Sequence, residues 1–216
     1  MFILTEQSNI AHHFIAELRD INIQRDSMRF RRNLERLGEL MAYEISKTMQ
    51  YRPRVVETPL GFAHMQELTA QPVLVPILRA GLPFYQGFLN MFDAAPSAFI
   101  GAFRGQHAAD FTFEIEMRYI AAPDLSGREL ILIDPMLATG KSVLLTVEAL
   151  MQYGKPDKIH IVSAIASREG VNHVRQHLPE SFLWTGALDE ELNQKFYIVP
   201  GLGDAGDLAF GAKISA

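Results

Sequence analysis

Short apolar runs alternate along the chain with stretches whose apolar residues return every third or fourth position. The runs at 72–78, 97–103, 130–133, 159–166 and 182–188 predict strands, and the most continuous of them predict strands buried on both faces. Between them, spacing and capping residues predict helical segments at 10–18, 82–91, 143–150 and 169–177. The longest helix is expected from an N-cap at Asp26 and Ser27 through Lys47. There Phe30, Leu34, Leu37, Met41 and Ile45 recur at steps of three and four and form one buried stripe. Arg29, Arg31, Arg32 and Arg36 lie mainly off that stripe and read as a solvated face beside Glu35 and Glu39. Gly154 is expected to end the 143–150 helix in the left-handed position.

Two segments depart from this rhythm. Residues 54–58 and 62–65, on either side of Pro59-Leu60-Gly61, predict a small hairpin. From Phe111 the sequence alternates strictly, so Phe113, Ile115, Met117 and Tyr119 share one face of a half-buried ribbon. Within 105–123 this reads as an arm that leans on the body, covering a site or packing on a second subunit. Strands alternating with helices imply right-handed crossovers and an α/β fold, a mostly parallel central sheet flanked by helices, in a single domain over 1–216.

Candidate chemistry collects at strand ends. The 130–133 run stops at Asp134, followed by Pro135, which cannot extend a central strand. Met136, Leu137, Ala138, Thr139, Gly140, Lys141 and Ser142 then lead into a helix. An acid at a strand's carboxyl end, beside a glycine-centred loop at a helix N-terminus, suits a sugar phosphate: loop amides take the phosphate and the carboxylate accepts from hydroxyls. The Gly-Lys-Ser does not make a Walker loop, because the required glycine five residues earlier is Pro135. Arg79, at the end of the 72–78 strand and followed by Ala80-Gly81, is placed to grip an anion at the same sheet edge. Gly201, Gly203 and Gly206 form a third loop, whose backbone either approaches a planar ligand or simply turns before the C-terminal tail. His12-His13 reads as a surface pair and Trp184 as a packing aromatic.

Several of these stretches together resemble the type I phosphoribosyltransferases. They are the helix from Arg29 to Glu44, Pro-Ile-Leu-Arg-Ala-Gly at 76–81, Asp-Pro-Met-Leu-Ala-Thr-Gly at 134–140, and Tyr-Ile-Val-Pro-Gly-Leu-Gly-Asp-Ala-Gly-Asp at 197–207 followed by Phe210-Gly211. The last resembles the base-binding loop of the uracil phosphoribosyltransferase family specifically. The resemblance implies transfer of the phosphoribosyl group from 5-phospho-α-D-ribose 1-diphosphate to uracil, giving UMP and diphosphate in pyrimidine salvage. It implies a donor site built from residues 134–142, with the 5′-phosphate on Thr139, Gly140, Lys141 and Ser142 and the ribose hydroxyls facing Asp134. Arg79 and Arg104 would neutralise the departing diphosphate. Uracil would rest on the backbone of Ile198, Gly203 and Ala205, with Asp204 contacting the donor. Asp134, Arg79, Arg104 and Asp204 are thus the candidate catalytic residues, and Mg²⁺ is expected on the donor diphosphate rather than on a protein cluster. Lys141 stands where the family usually has a second glycine, and either adds charge to the phosphate site or points to solvent.

Composition narrows the alternatives. A chain of 216 residues, 48% hydrophobic and 21% charged, fits one ordinary globular domain. Net charge of −5 and a pI near 5.8 disfavour nucleic acid as a partner. Without cysteine the chain has no disulfide or thiolate chemistry. The N-terminus lacks a signal peptide's apolar core and no run reaches membrane-spanning length, so a cytoplasmic protein without membrane contact is expected. The resemblance and the arm imply a homodimer or higher homo-oligomer, and the resemblance adds GTP as a possible activator. Three other readings rank behind the uracil reading: a related transferase for another base, then a non-catalytic nucleotide-sensing regulator on the same fold, then a kinase, which Pro135 disfavours.

Overall fold

The computed structural model of the chain describes residues 1–107 and 113–212, with the backbone alone at 102–107 and 113–118. In chain order the first elements are β1 (Phe2–Ile3), α1 (Ala11–Arg19), α2 (Ser27–Ser46), β2 (Tyr51–Thr58), β3 (Gly61–Leu68), β4 (Val73–Leu78) and α3 (Gly81–Met91). There follow β5 (Phe99–His107), β6 (Phe113–Ala121), β7 (Glu129–Ile133), β8 (Met136–Leu137), α4 (Lys141–Leu150) and β9 (Lys158–Ser167). The chain closes with α5 (Arg168–His177), β10 (Phe182–Asp189), β11 (Glu191–Leu192), β12 (Ile198–Val199) and α6 (Ala205–Phe210).

The main sheet runs β1-β10-β9-β7-β4-β5-β6, with β8 continuing alongside β9. Every pairing is parallel except β5 with β6. The mostly parallel α/β sheet expected from the sequence is therefore present. Its two faces carry separate cores because successive side chains alternate. Leu74, Ile131, Ile133 and Val162 face the α1–α2–α3 layer, while Val73, Val75, Leu130, Leu132 and Ile161 face α4 and α5. The α2 stripe is as predicted: Phe30, Leu34, Leu37, Met41 and Ile45 are all at most 1% exposed. Truncating any of them to alanine is expected to cost about 2–5 kcal/mol. Asp26 caps the helix by accepting from the Met28 and Arg29 N–H groups.

Strand order reverses between β4 and β7: from β4 the chain moves outward to β5, and from β7 it moves the other way to β9. A crevice opens at such a point beyond the strand carboxyl ends. Leu78-Arg79 and Ile133-Asp134 are those ends.

Several expectations need correction. The hairpin is longer than predicted, spanning Tyr51–Thr58 and Gly61–Leu68, since backbone pairing continues from Tyr51 to Leu68. Among the described residues it pairs only with itself, and Val55, Leu60, Phe62 and Met65 are exposed on it. Gly154 has the positive φ expected of it but not the αL conformation: α4 passes into a 3₁₀ turn at Met151–Tyr153, and Gly154, at φ 117° and ψ 160°, follows that turn as the chain straightens towards β9. A Cβ there would meet the Ser126 backbone nitrogen at 2.7 Å. The arginine face of α2 is only partly solvated. Arg29 is hydrogen-bonded to Glu17, and Arg31 donates to the Ala209 carbonyl at 2.6 Å. Trp184 packs as expected, against Phe2, and its Nε1–H donates to His160 Nδ1 at 3.1 Å. In the predicted ribbon, Tyr119 is exposed, while the facing of Phe113, Ile115 and Met117 lies outside the described residues. Among the described residues no helix is long and apolar enough to cross a membrane.

Candidate active site

The crevice at the switch point is a cleft of about 560 Å³ with three walls. The first is the end of β4, from Ile77 to Ala80. The second is the loop after β7: Asp134, Met136, Leu137, Ala138, Thr139, Gly140 and Ser142 all line the cleft. The third comes from the last part of the chain, through Phe196, Tyr197, Ile198, Gly203, Asp204, Ala205 and Gly206. Residues read from the sequence as phosphate loop and base loop thus face one another across one cavity.

The second wall is built by local geometry. Pro135 is buried and does not line the cleft; its carbonyl accepts from both Ala164 N–H (3.1 Å) and Ile165 N–H (3.0 Å). This lets the chain step past the end of β7 and rejoin β9 as β8. The Asp134 carboxylate accepts from Met136 N–H at 3.3 Å. Gly140, at φ 77°, takes the left-handed turn that starts α4, a conformation strained for other residues. Lys141, expected in the phosphate site, is exposed and outside the cleft lining, because it sits one residue past the turn. Of its two sequence readings, solvent is the one this geometry favours.

The third wall is held from a distance. β11 pairs antiparallel with β12, and Asn193 Oδ1 accepts from the Lys195 and Tyr197 N–H groups to close the connection. Gly201 is gripped at both polar atoms. Its N–H donates to Asp189 Oδ2 at 2.9 Å, and its carbonyl accepts from Arg19 Nη1 at 3.1 Å. Arg19 and Asp189 themselves form a two-pronged pair at 2.8 and 2.7 Å. After Gly203 comes an unpredicted short helix, α6, which takes in Gly206 and whose N-cap is Asp204: its Oδ1 accepts from Asp207 N–H at 3.0 Å. Arg79 reaches this wall, its Nη2 lying 3.2 Å from Asp207 Oδ1. The remaining candidate, Arg104, lies in β5 where side chains are outside the described residues.

Charge near the third wall is steadied behind it. Glu17, two residues before Arg19 in the last turn of α1, binds Arg29 and Asn33, and these hydrogen bonds, Arg29 first, hold its pKa down to about 2. Sequence reasoning missed Arg19, Asp189, Ser167 and His173. Asp189 had a usable signal, an acid at the carboxyl end of an apolar strand, the same pattern that marked Asp134. Ser167 had another, a hydroxyl three residues before Gly170 at a helix start.

This arrangement, a parallel sheet with its cleft at the switch point and a glycine-turned loop under a C-terminal hood, defines a type I phosphoribosyltransferase. A hypoxanthine phosphoribosyltransferase from Staphylococcus aureus shares the fold at a TM-score of 0.50 and 14% identity over 74% of each chain. The AQ2163 protein from Aquifex aeolicus matches far more closely, at a TM-score of 0.86 and 32% identity over 100% of both chains. The family model described as uracil phosphoribosyltransferase matches residues 4–212. A uracil phosphoribosyltransferase from Porphyromonas gingivalis is 48% identical over 98% of this chain and 98% of its own length. The chain belongs to the uracil phosphoribosyltransferase family.

Proposed function

We propose that this chain transfers the phosphoribosyl group of 5-phospho-α-D-ribose 1-diphosphate to uracil, forming UMP and diphosphate, within one domain over 1–216. The observation that carries the reading is the meeting of the 134–142 loop and the 198–205 hood across one cleft. The 5′-phosphate sits on the amides and hydroxyls of Thr139, Gly140 and Ser142, at the positive end of α4. The Asp134 carboxylate faces the ribose hydroxyls. Arg79, with Arg104, neutralises the diphosphate as the bond to C1 breaks. Arg79 already holds a carboxylate, Asp207, so an anion in the cleft meets a guanidinium that is oriented but still 38% exposed. The anomeric carbon becomes oxocarbenium-like, and catalysis is mainly positioning and electrostatics.

Uracil is read by the backbone of Ile198, Gly203 and Ala205, with Asp204 towards the donor. Uracil offers an N3–H between two carbonyls, whereas cytosine offers an amino donor beside a bare N3. A wall built for one leaves buried groups unpaired with the other. Mg²⁺ would enter on the donor diphosphate, held chiefly by donor oxygens. The site fits it because the Asp134 and Asp204 carboxylates line the same cleft, and magnesium is commonly held by substrate phosphates with one or two carboxylates. When bound it offsets the diphosphate's negative charge. A cytoplasmic location and a homo-oligomer belong to the same reading, the latter supported by the exposed apolar residues Val55, Leu60, Phe62 and Met65 on the β2–β3 hairpin.

The test is an assay of purified protein with donor and Mg²⁺, offered uracil or cytosine, with and without GTP. UMP from uracil and no product from cytosine is expected, and a GTP-dependent rate tests activation. Product from a purine or orotate instead would reassign the base. Donor binding without any product would turn the reading to a regulator.

A further inference from the structure

The phosphate loop leans on a helix that contributes nothing to the cleft lining. The N-cap of α5, Ser167, and two of the helix's residues, Gly170 and His173, touch the loop at steps of three. Ser167 is fully buried and uses its hydroxyl twice, accepting from Gly170 N–H at 2.9 Å and donating to the Ala138 carbonyl at 2.5 Å. His173 Nδ1 lies 2.7 Å from the Thr139 carbonyl, which can only accept, so Nδ1 carries the proton. Gly170 lies between them because a Cβ there would meet the Ala138 carbonyl oxygen at 2.2 Å.

The consecutive carbonyls of Ala138 and Thr139 are therefore both turned to α5 and its cap. In a trans peptide the carbonyl of one residue and the N–H of the next point in opposite directions. Holding Ala138 C=O thus turns Thr139 N–H away from α5, and holding Thr139 C=O does the same for Gly140 N–H. Neither N–H donates to a protein acceptor among the described residues. Thr139 and Gly140 line the cleft and no residue of α5 does.

We propose that His173, backed by Ser167, is a positioning residue for the donor: by fixing the Thr139–Gly140 peptide it presents an amide N–H to the 5′-phosphate. The inference rests on the reading of this loop as the phosphate site. Without the latch that peptide is free to rotate, and a phosphate-bearing ligand must order it on binding.

The test is calorimetric titration of the donor and of UMP into wild type, His173→Leu and His173→Asn, with steady-state constants for uracil and melting temperatures alongside. Asparagine can place an amide N–H close to where Nδ1 stands, and leucine cannot. His173→Leu is expected to weaken donor and UMP binding about tenfold, the scale of one lost hydrogen bond to a charged ligand. The KM for uracil should stay within about twofold, and His173→Asn should recover most of the loss. Unchanged donor affinity in His173→Leu would overturn the proposal. So would equal impairment of the two variants, or a rise in uracil KM that matches the loss of donor. Wild type that binds donor but makes no UMP would sink the uracil assignment and leave the titration to judge His173. Wild type that binds no donor would sink both.

Discussion

The two walls of the cleft are made firm in different ways. The phosphate loop is held by hydrogen bonds to a neighbouring helix, from Ser167 and His173, with no ion pair among them and with Gly170 allowing the close approach. The base-binding hood is held by charge: Arg19 and Asp189 clamp Gly201, and Arg79 pairs with Asp207. A peptide cradle for a dianion gains from supports that are not carboxylates, because a fixed negative charge behind it would repel the ligand. A hood that recognises a neutral base is under no such restriction and can be anchored by an ion pair. The difference predicts that damage to either wall is read by a different substrate.

The largest effect is expected at the hood. Asp189→Ala leaves Arg19, whose side chain is 22% exposed, and the Gly201 N–H without their shared partner. This should cost about 3 kcal/mol in urea unfolding, the low end for breaking a buried pair. It should also raise KM for uracil about tenfold while leaving donor affinity nearly intact. Gly170→Ala should do the reverse. Its new Cβ would press on the Ala138 carbonyl, with an overpacking cost of about 2 kcal/mol, and donor KM should rise more than uracil KM. Equal effects of either substitution on both substrates would dissolve the distinction between the walls.

Acid sharpens the comparison more gently. Glu17 ties α1, which carries Arg19, to α2, and its folded pKa of about 2 lies below the ordinary 4.5. A depressed carboxylate pKa contributes stability that is complete above about pH 4.5 and is lost as pH falls towards about 2. Glu17→Gln should therefore flatten the loss of stability across that window, measured as melting temperature against pH, and leave the neutral-pH profile similar in shape. The smallest effect is expected from Lys141→Ala. The side chain is exposed and off the cleft, so donor KM should move less than about threefold.

The sequence made some of this plain and left the rest hidden for physical reasons. An apolar run ending at Asp134, with Gly140 soon after, marks a strand end and a turn because both are local events. The α2 stripe is legible for the same reason. The Arg19–Asp189 pair is not: its partners are 170 residues apart, and an arginine at a helix end looks like any solvated charge. The full hairpin was hidden because Pro53 and polar Gln66 and Glu67 obscure its pattern, although pairing reaches Tyr51 and Leu68. Asp204 was read for its contact with the donor, and its part in starting α6 emerges only once Asp207 lies a helical turn away.

Strand β1 lies on the outer edge of β10, and Thr5 Oγ1 bonds to the Gly186 carbonyl, 181 positions later. Synthesis delivers the chain from its N-terminus, so residues 2–5 remain without their sheet partner until β10 has left the ribosome. Arg19 waits longer still, for Gly201, 182 positions on. The phosphate loop closes within a span of 34 residues, between Thr139 and His173. Closing long loops is slow relative to closing short ones. The protein is thus expected to acquire its grip on phosphate before its grip on the base, and a stalled chain lacking about its last twenty residues would have the Arg19–Asp189 pair but no Gly201 for it to hold.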